Sequence, residues 1–135
     1  MGVNCLMKNF TNQEYWNQYW DKEVREEINF YFADLLEQYI QWEKVNPKSY
    51  MEIGGAPGNI MAYMNRQHQL STSTVDFTES QRIEKFLKKQ QVNNYHIYQE
   101  DFQNFDIKEH MGKWGIVASW GFLEHFEKKD NLGFY

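Results

Sequence analysis

Residues 51–59 of the chain read Met51-Glu52-Ile53-Gly54-Gly55-Ala56-Pro57-Gly58-Asn59. An apolar run that contains an acid ends here, and five small residues then lead into a segment with helical spacing. Three of the chain's eight glycines lie in those five positions. Small residues between a strand and a helix let a ligand approach bare backbone N–H groups at the helix N-terminus. This segment therefore predicts a strand, a ligand-binding loop and a helix in succession.

The spacing of the small residues narrows the choice of ligand. The dinucleotide fingerprint G-x-G-x-x-G would require glycine at positions 56 and 59, where Ala56 and Asn59 stand. A P-loop would require a lysine at the start of the helix, and the sequence has none there. The pattern that remains is E-x-G-x-A-x-G, from Glu52 to Gly58.

Strand-like and helix-like segments alternate from residue 49 onward. The apolar patterns predict strands at 49–53, 73–77, 95–98 and 115–119, and helices at 59–67 and 79–91. We place Pro57 in the first turn of the helix at 59–67, where its missing N–H costs nothing. Such alternation is typical of βαβ units and predicts an α/β fold with a parallel sheet.

The first 48 residues have a different pattern. Aromatic residues at 15, 16, 19 and 20 fall on one face of a short helix, and apolar residues between Val24 and Val45 recur at helical intervals. The pair Asn46-Pro47 ends that second helix, because proline restricts the residue before it. We therefore predict a helical cap over residues 1–48 and one α/β unit over residues 49–135. The aromatic cluster of the cap either closes over a ligand or has a purely structural role.

The motifs, taken in order, resemble those of class I S-adenosylmethionine-dependent methyltransferases. The segment from Glu52 to Gly58 resembles motif I of that family, with Ala56 in place of the usual middle glycine. An acid ends the second strand, Glu-Asp-Phe follows the third, and residues 115–126 resemble the fourth-strand motif D-x-V-x-S-x-x-x-x-E-H. The resemblance implies a Rossmann-like sheet of strand order 3-2-1-4. It also implies that this chain ends before strands 5–7 of the complete family fold.

The resemblance further implies that S-adenosylmethionine is the cofactor. Asp76 would accept hydrogen bonds from the ribose hydroxyls, and Asp101 from the adenine amino group, with the Phe102 N–H donating to the ring. Glu52 would face the methionine ammonium, and loop N–H groups would face the methionine carboxylate. Methyl transfer would be an in-line displacement in which the protein mainly contributes alignment. The cofactor-binding residues implied are Glu52, Gly54, Gly55, Ala56, Gly58, Asp76, Phe77, Asp101, Phe102, Ser119 and Trp120.

The methyl acceptor is less well determined by the sequence. Residues 119–122 read Ser-Trp-Gly-Phe, where amino-methylating nucleic-acid enzymes resemble one another in Asn/Asp-Pro-Pro-Tyr/Phe. The ribose-methylating enzymes would have an aspartate near Ser119. We therefore expect a small-molecule acceptor, with His125 as the candidate general base. The alternative for His125 is that it only packs the start of the next helix. A separate alternative for the chain is a non-catalytic module that binds the cofactor or a partner.

Composition excludes several other classes of function. The net charge is −5 and the basic residues are scattered, so we expect no direct binding to nucleic acid. There is no apolar run of about 18 residues, so we expect no membrane span. The single cysteine, Cys5, is typical of a reducing compartment, and we expect a cytoplasmic protein.

Two further expectations concern metals and self-association. His68, His96 and His110 lie apart in the sequence without the spacing of metal ligands, so we expect no metal site. The fourth predicted strand, at 115–119, is apolar and has no charged residue. In the complete family sheet a fifth strand covers it. Here we expect its exposed edge to pair with a second copy in a homodimer. The alternative is that the N-terminal aromatic helices fold back over this edge and keep the chain monomeric.

Overall fold

The computed structural model describes residues 12–22 and 33–120. The helices are α1 (Gln13–Lys22), α2 (Ala33–Tyr39), α3 (Asn59–His68) and α4 (Ser80–Lys89). The strands are β1 (Ser49–Ile53), β2 (Ser71–Asp76), β3 (Tyr95–Gln99) and β4 (Ile116–Ser119). Short 3-10 helices lie at Trp42–Lys44, Phe102–Asn104 and Ile107–His110.

The four described strands form one sheet in the order β3-β2-β1-β4. Every pairing is parallel, and Glu52 of β1 lies opposite Thr74 of β2 and Ala118 of β4. All five residues of β1 are buried, as expected for a central parallel strand that is covered on both faces. The predicted α/β fold, with a Rossmann-like parallel sheet and strand order 3-2-1-4, is confirmed.

The core is divided between the two faces of the sheet. Successive residues of a strand point to opposite faces, and Tyr50 and Met51 accordingly belong to different clusters. The larger cluster packs under α3 and α4 and contains the residues Val45, Tyr50, Met61, Ala62, Met64, Leu70, Ile83, Phe86, Leu87 and Val92. The smaller one, under the 3-10 helices that follow β3, contains Met51, Ile53, Val75, Phe102 and Phe105. Helix α4 contributes Ile83, Phe86 and Leu87 to the larger cluster.

The N-terminal cap differs from the sequence prediction. Helix α2 ends at Tyr39, whereas the apolar spacing predicted a continuous helix to Val45. Residues 23–32 lie outside the described part of the chain. Tyr39, the last residue of α2, is 74% exposed, so this end of the helix gains little stability from the burial of apolar surface. The chain instead leaves helical geometry at Gln41, and the Trp42 ring stacks on the His68 imidazole at 3.5 Å.

Helix α1 covers residues that were predicted to be helical, and it docks on the N-terminus of α4. The Asn17 side chain donates to Glu79 Oε1 and accepts from the Glu79 backbone N–H, at 3.3 and 3.1 Å. The Arg82 guanidinium bridges Asp21 and Glu79 at 2.8 and 2.6 Å. Because β2 leads into α4, these contacts hold α1 beside the carboxyl end of β2. None of the described helices has the length and apolar character needed to cross a bilayer.

Candidate functional site

The residues that sequence reasoning selected come together at one edge of the sheet. All four strands are parallel, so the loop after β1, Asp76 of β2, Asp101 after β3 and Ser119 of β4 lie at the carboxyl edge. The chain leaves β1 toward β2 on one side and later returns to β4 on the other. Ligands of open α/β sheets bind outside the carboxyl ends of the strands at such a switch in strand order. The site therefore has the placement expected of a ligand site.

The loop from Gly54 to Gly58 depends on backbone conformations and contacts that favour glycine. Gly54 and Gly58 have φ values of 75° and 107°, in the region that side chains rarely adopt. A Cβ on Gly55 would lie 2.5 Å from Thr74 Oγ1, the atom that accepts the Gly55 N–H. Gly58 is the N-cap of α3, so Pro57 precedes the helix and does not lie in its first turn as predicted.

Asp76 ties this loop to β2. Its Oδ2 accepts from the Ala56 N–H at 2.9 Å and its Oδ1 from the Thr78 N–H at 2.7 Å. The residue is 8% exposed, and burial raises the pKa of its carboxyl group while the hydrogen bonds from Ala56 and Thr78 oppose that shift. A carboxylate oxygen can accept more than one hydrogen bond, and contact with ribose hydroxyls would use this capacity.

Glu52 is the second buried acid of the edge. It is 3% exposed, and its Oε1 accepts from the Tyr50 hydroxyl at 2.8 Å. Burial raises the pKa of Glu52 to about 8, with the Tyr50 hydrogen bond opposing the shift and the nearby Asp76 charge adding to it. The carboxyl group is therefore mostly protonated at neutral pH.

The residues after β3 have local structural contacts. Asp101 caps the 3-10 helix Phe102–Asn104 by accepting from the Gln103 N–H at 3.0 Å. The Phe102 side chain is buried in the smaller core cluster. Phe77, directly after β2, is partly exposed. The predicted roles of these residues toward adenine and ribose stay predictions.

The residue that follows β4 reaches Glu52 through Tyr50, which was not predicted from the sequence. Trp120 Nε1 donates to the Tyr50 hydroxyl at 2.8 Å, and Tyr50 in turn contacts Glu52. Tyr50 could have been found from its position, because residues two apart on a strand lie on the same face. Ser119 Oγ is buried and has no hydrogen-bond partner among the described residues. The candidate base His125 lies outside them.

Three loop N–H groups that were expected to face a ligand are already used. The N–H groups of Gly54, Gly55 and Ala56 donate to Val75 O, Thr74 Oγ1 and Asp76 Oδ2. The first N–H groups of a helix have no intrahelical acceptor, and the positive end of the helix dipole favours an anionic group at the N-terminus of α3. The roles of Gly54, Gly55 and Ala56 toward a ligand stay predictions.

The edge thus combines helix N–H groups, two buried carboxyl groups and a buried serine hydroxyl. Within residues 12–22 and 33–120, no group of three or more His, Cys, Asp or Glu side chains is placed to hold a metal ion. Comparison of the chain with protein-family models, curated proteins and solved structures found no match. A functional assignment therefore depends on the chemistry of this edge.

Proposed function

We propose that the chain binds S-adenosylmethionine at the carboxyl edge of its sheet and transfers the methyl group to a small-molecule acceptor, as a class I methyltransferase does. One observation carries this proposal. The glycine loop after β1 and the acids of β1 and β2 lie together at the carboxyl edge of the sheet, beside the switch in strand order.

The chemistry of the edge fits the cofactor. S-adenosylmethionine carries an ammonium group, a carboxylate and a nucleoside but no phosphate, and the loop from Gly54 to Gly58 has no lysine. Glu52 would face the ammonium group, and the N-terminus of α3 would face the carboxylate. Asp76 would hold the ribose, because a carboxylate oxygen can accept more than one hydrogen bond. The buried Ser119 hydroxyl would gain a polar partner.

The chain's own contribution to the reaction would be alignment. The bound cofactor would supply a methyl group on an already activated sulfonium. The loop, Glu52 and Asp76 would orient the cofactor from its two ends, and α1, docked at the start of α4, would limit access of water from that side. Holding two reactants in line contributes up to about 7–11 kcal/mol to a displacement. His125, as the group that takes a proton from the acceptor, stays a prediction.

Calorimetric titration of the full chain tests the proposal. We expect S-adenosylmethionine and S-adenosylhomocysteine to bind with a one-to-one stoichiometry. NAD⁺, which the loop spacing disfavours, is the matched control and should give no binding heat. Absence of binding by both sulfur compounds would refute the proposal. Binding without methyl transfer to any acceptor would restrict the function to that of a cofactor-binding module.

A further inference from the structure

Tyr50 connects Glu52 of β1 with Trp120, the residue that follows β4. Its hydroxyl lies between Trp120 Nε1 and Glu52 Oε1, at 2.8 Å from each. The residue is completely buried, so water cannot replace either partner. We propose that Tyr50 is a positioning residue, which holds Glu52 by Oε1 so that Oε2 is left for the ammonium group of the ligand. This inference rests on the proposed function.

The direction of the hydrogen bonds follows from the chemistry of the three groups. The indole N–H of Trp120 can only donate, so the Tyr50 oxygen must accept it. The single hydroxyl hydrogen of Tyr50 then has Glu52 Oε1 as its acceptor. Among the described residues none donates to Oε2 of Glu52. The carboxyl group is thus held at one oxygen only.

The charges around Glu52 make Oε2 suited to a cation. On β2, Asp76 adds a negative charge that raises the pKa of Glu52. On β4, the residues beside Glu52 and Ile53 are Ala118 and Ser119, neither of which is titratable. Among the described neighbours of Glu52 on β2 and β4, the charged group is therefore the negative Asp76. An ammonium group at Oε2 would favour the ionised carboxylate, which Tyr50 would continue to stabilise at Oε1.

The experiment compares Tyr50→Phe with Tyr63→Phe in the full chain. Tyr63 also donates its hydroxyl to a carboxylate, that of Glu37, but does so on α3 at the protein surface. Affinities are measured for S-adenosylhomocysteine and for 5′-methylthioadenosine, which lacks the amino-acid end. Carbon-13 NMR follows the titration of the Glu52 carboxyl group, whose signal is the one missing from Glu52→Gln.

We expect Tyr50→Phe to weaken S-adenosylhomocysteine binding about ten- to hundred-fold, the effect of losing a hydrogen bond to a charged group. Affinity for 5′-methylthioadenosine should change less than about two-fold, within the range of substitutions that touch nothing in the site. The titration midpoint of Glu52 should rise, because the Tyr50 hydrogen bond lowers that pKa. Tyr63→Phe should change none of these quantities.

The outcomes separate the two proposals. If the parent chain binds neither compound, the proposed function fails and this inference fails with it. If the parent chain binds and Tyr50→Phe weakens both compounds equally, or neither, only the role of Tyr50 is overturned. Should Tyr50→Phe fail to fold, Trp120→Phe replaces it. That variant removes the donor to Tyr50, and the loss must again be selective for S-adenosylhomocysteine, or the inference is overturned.

Discussion

Glu52 and Asp76 are acids that end up buried on neighbouring strands, at 3% and 8% exposure. Burial of a carboxyl group disfavours its charged form, and here the pKa of both groups is raised. Neither acid has a basic partner among its described hydrogen bonds; Tyr50 donates to one, and backbone N–H groups donate to the other. Burying two acids in this way lowers the stability of the protein without a ligand. Residues that lower stability in this way are common at functional sites.

The pH dependence of stability follows from the raised pKa of Glu52. The folded chain retains the Glu52 proton up to about pH 8, whereas the unfolded chain loses it near 4.5. Between those values the folded state binds more protons, so the free energy of unfolding falls as pH rises, by on the order of a few kcal/mol. Glu52→Gln should remove most of this fall, leaving a smaller slope from Asp76. Urea unfolding from about pH 5 to 8 measures how the free energy of unfolding depends on pH. An equal dependence in the parent chain and in Glu52→Gln would contradict the prediction.

Asp76→Asn tests the tie between the loop and β2. The amide can accept only one of the two backbone N–H groups, so we expect a loss of about 1–3 kcal/mol in the free energy of unfolding. Binding of S-adenosylhomocysteine should weaken more than ten-fold. Asp106→Asn is the matched control, since Asp106 also accepts a backbone N–H, from Lys108, but is exposed. Equal binding by both variants would show that Asp76 does not contribute to the site.

At the scale of elements, the loop between β1 and α3 is the connection on which the candidate site depends. Gly54 has a φ of 75°, and Gly112, in the turn before β4, has a φ of 83°. A Cβ on Gly112 would meet no atom within 4 Å. Valine at either position would therefore impose similar backbone strain, but only position 54 belongs to the candidate site. The pair separates loss of binding from loss of stability.

We predict that Gly54→Val abolishes measurable binding of S-adenosylhomocysteine, because the side chain blocks the approach of the ligand to the backbone. Gly112→Val should bind normally, although both variants should unfold at a lower temperature than the parent chain. Calorimetry and thermal unfolding monitored by circular dichroism measure the two effects. Normal binding by Gly54→Val would show that the loop is only a turn.

Most of these elements could be predicted from the sequence. Strand β1 and the helices α3 and α4 were predicted to within two residues, because their apolar periodicity agrees with their burial. The region before β1 could not be predicted as well. There Ile40 and Trp42 pack on the larger cluster from beyond the end of the α-helix, Trp42 as part of a 3-10 helix, although their spacing is α-helical. Spacing alone cannot show which aromatic residues will find a stacking partner.

At the scale of the whole molecule, β4 is one of the two edge strands of the described sheet. It pairs with β1 on one side, and no described strand pairs with its other edge. Val117, in the middle of the strand, is 48% exposed. An apolar edge strand without a charged residue is a template for pairing with another chain.

We therefore expect the chain to self-associate through β4, most simply as a two-fold dimer. Val117→Lys should reduce this association, because a lysine on an edge strand opposes pairing. Tyr39→Lys is the control, since Tyr39 is also an exposed apolar residue, at 74%, but lies on α2. Light scattering at micromolar concentration measures the mass. A parent chain that scatters as a monomer of 16.4 kDa would contradict the prediction.

The sequence by itself determined the α/β class, the order of strands and helices, and the acid-and-glycine loop that begins the site. These depend on periodicity and on the conformational freedom of glycine, which are properties of neighbouring residues. Only the tertiary structure decided how the acids are satisfied. Asp76 accepts from Ala56, 20 residues away. Tyr50, which contacts Glu52, accepts from Trp120, 70 residues further along the chain. Such partners are chosen when strands align and exclude water, because a buried polar group must find its hydrogen bond wherever the fold supplies one.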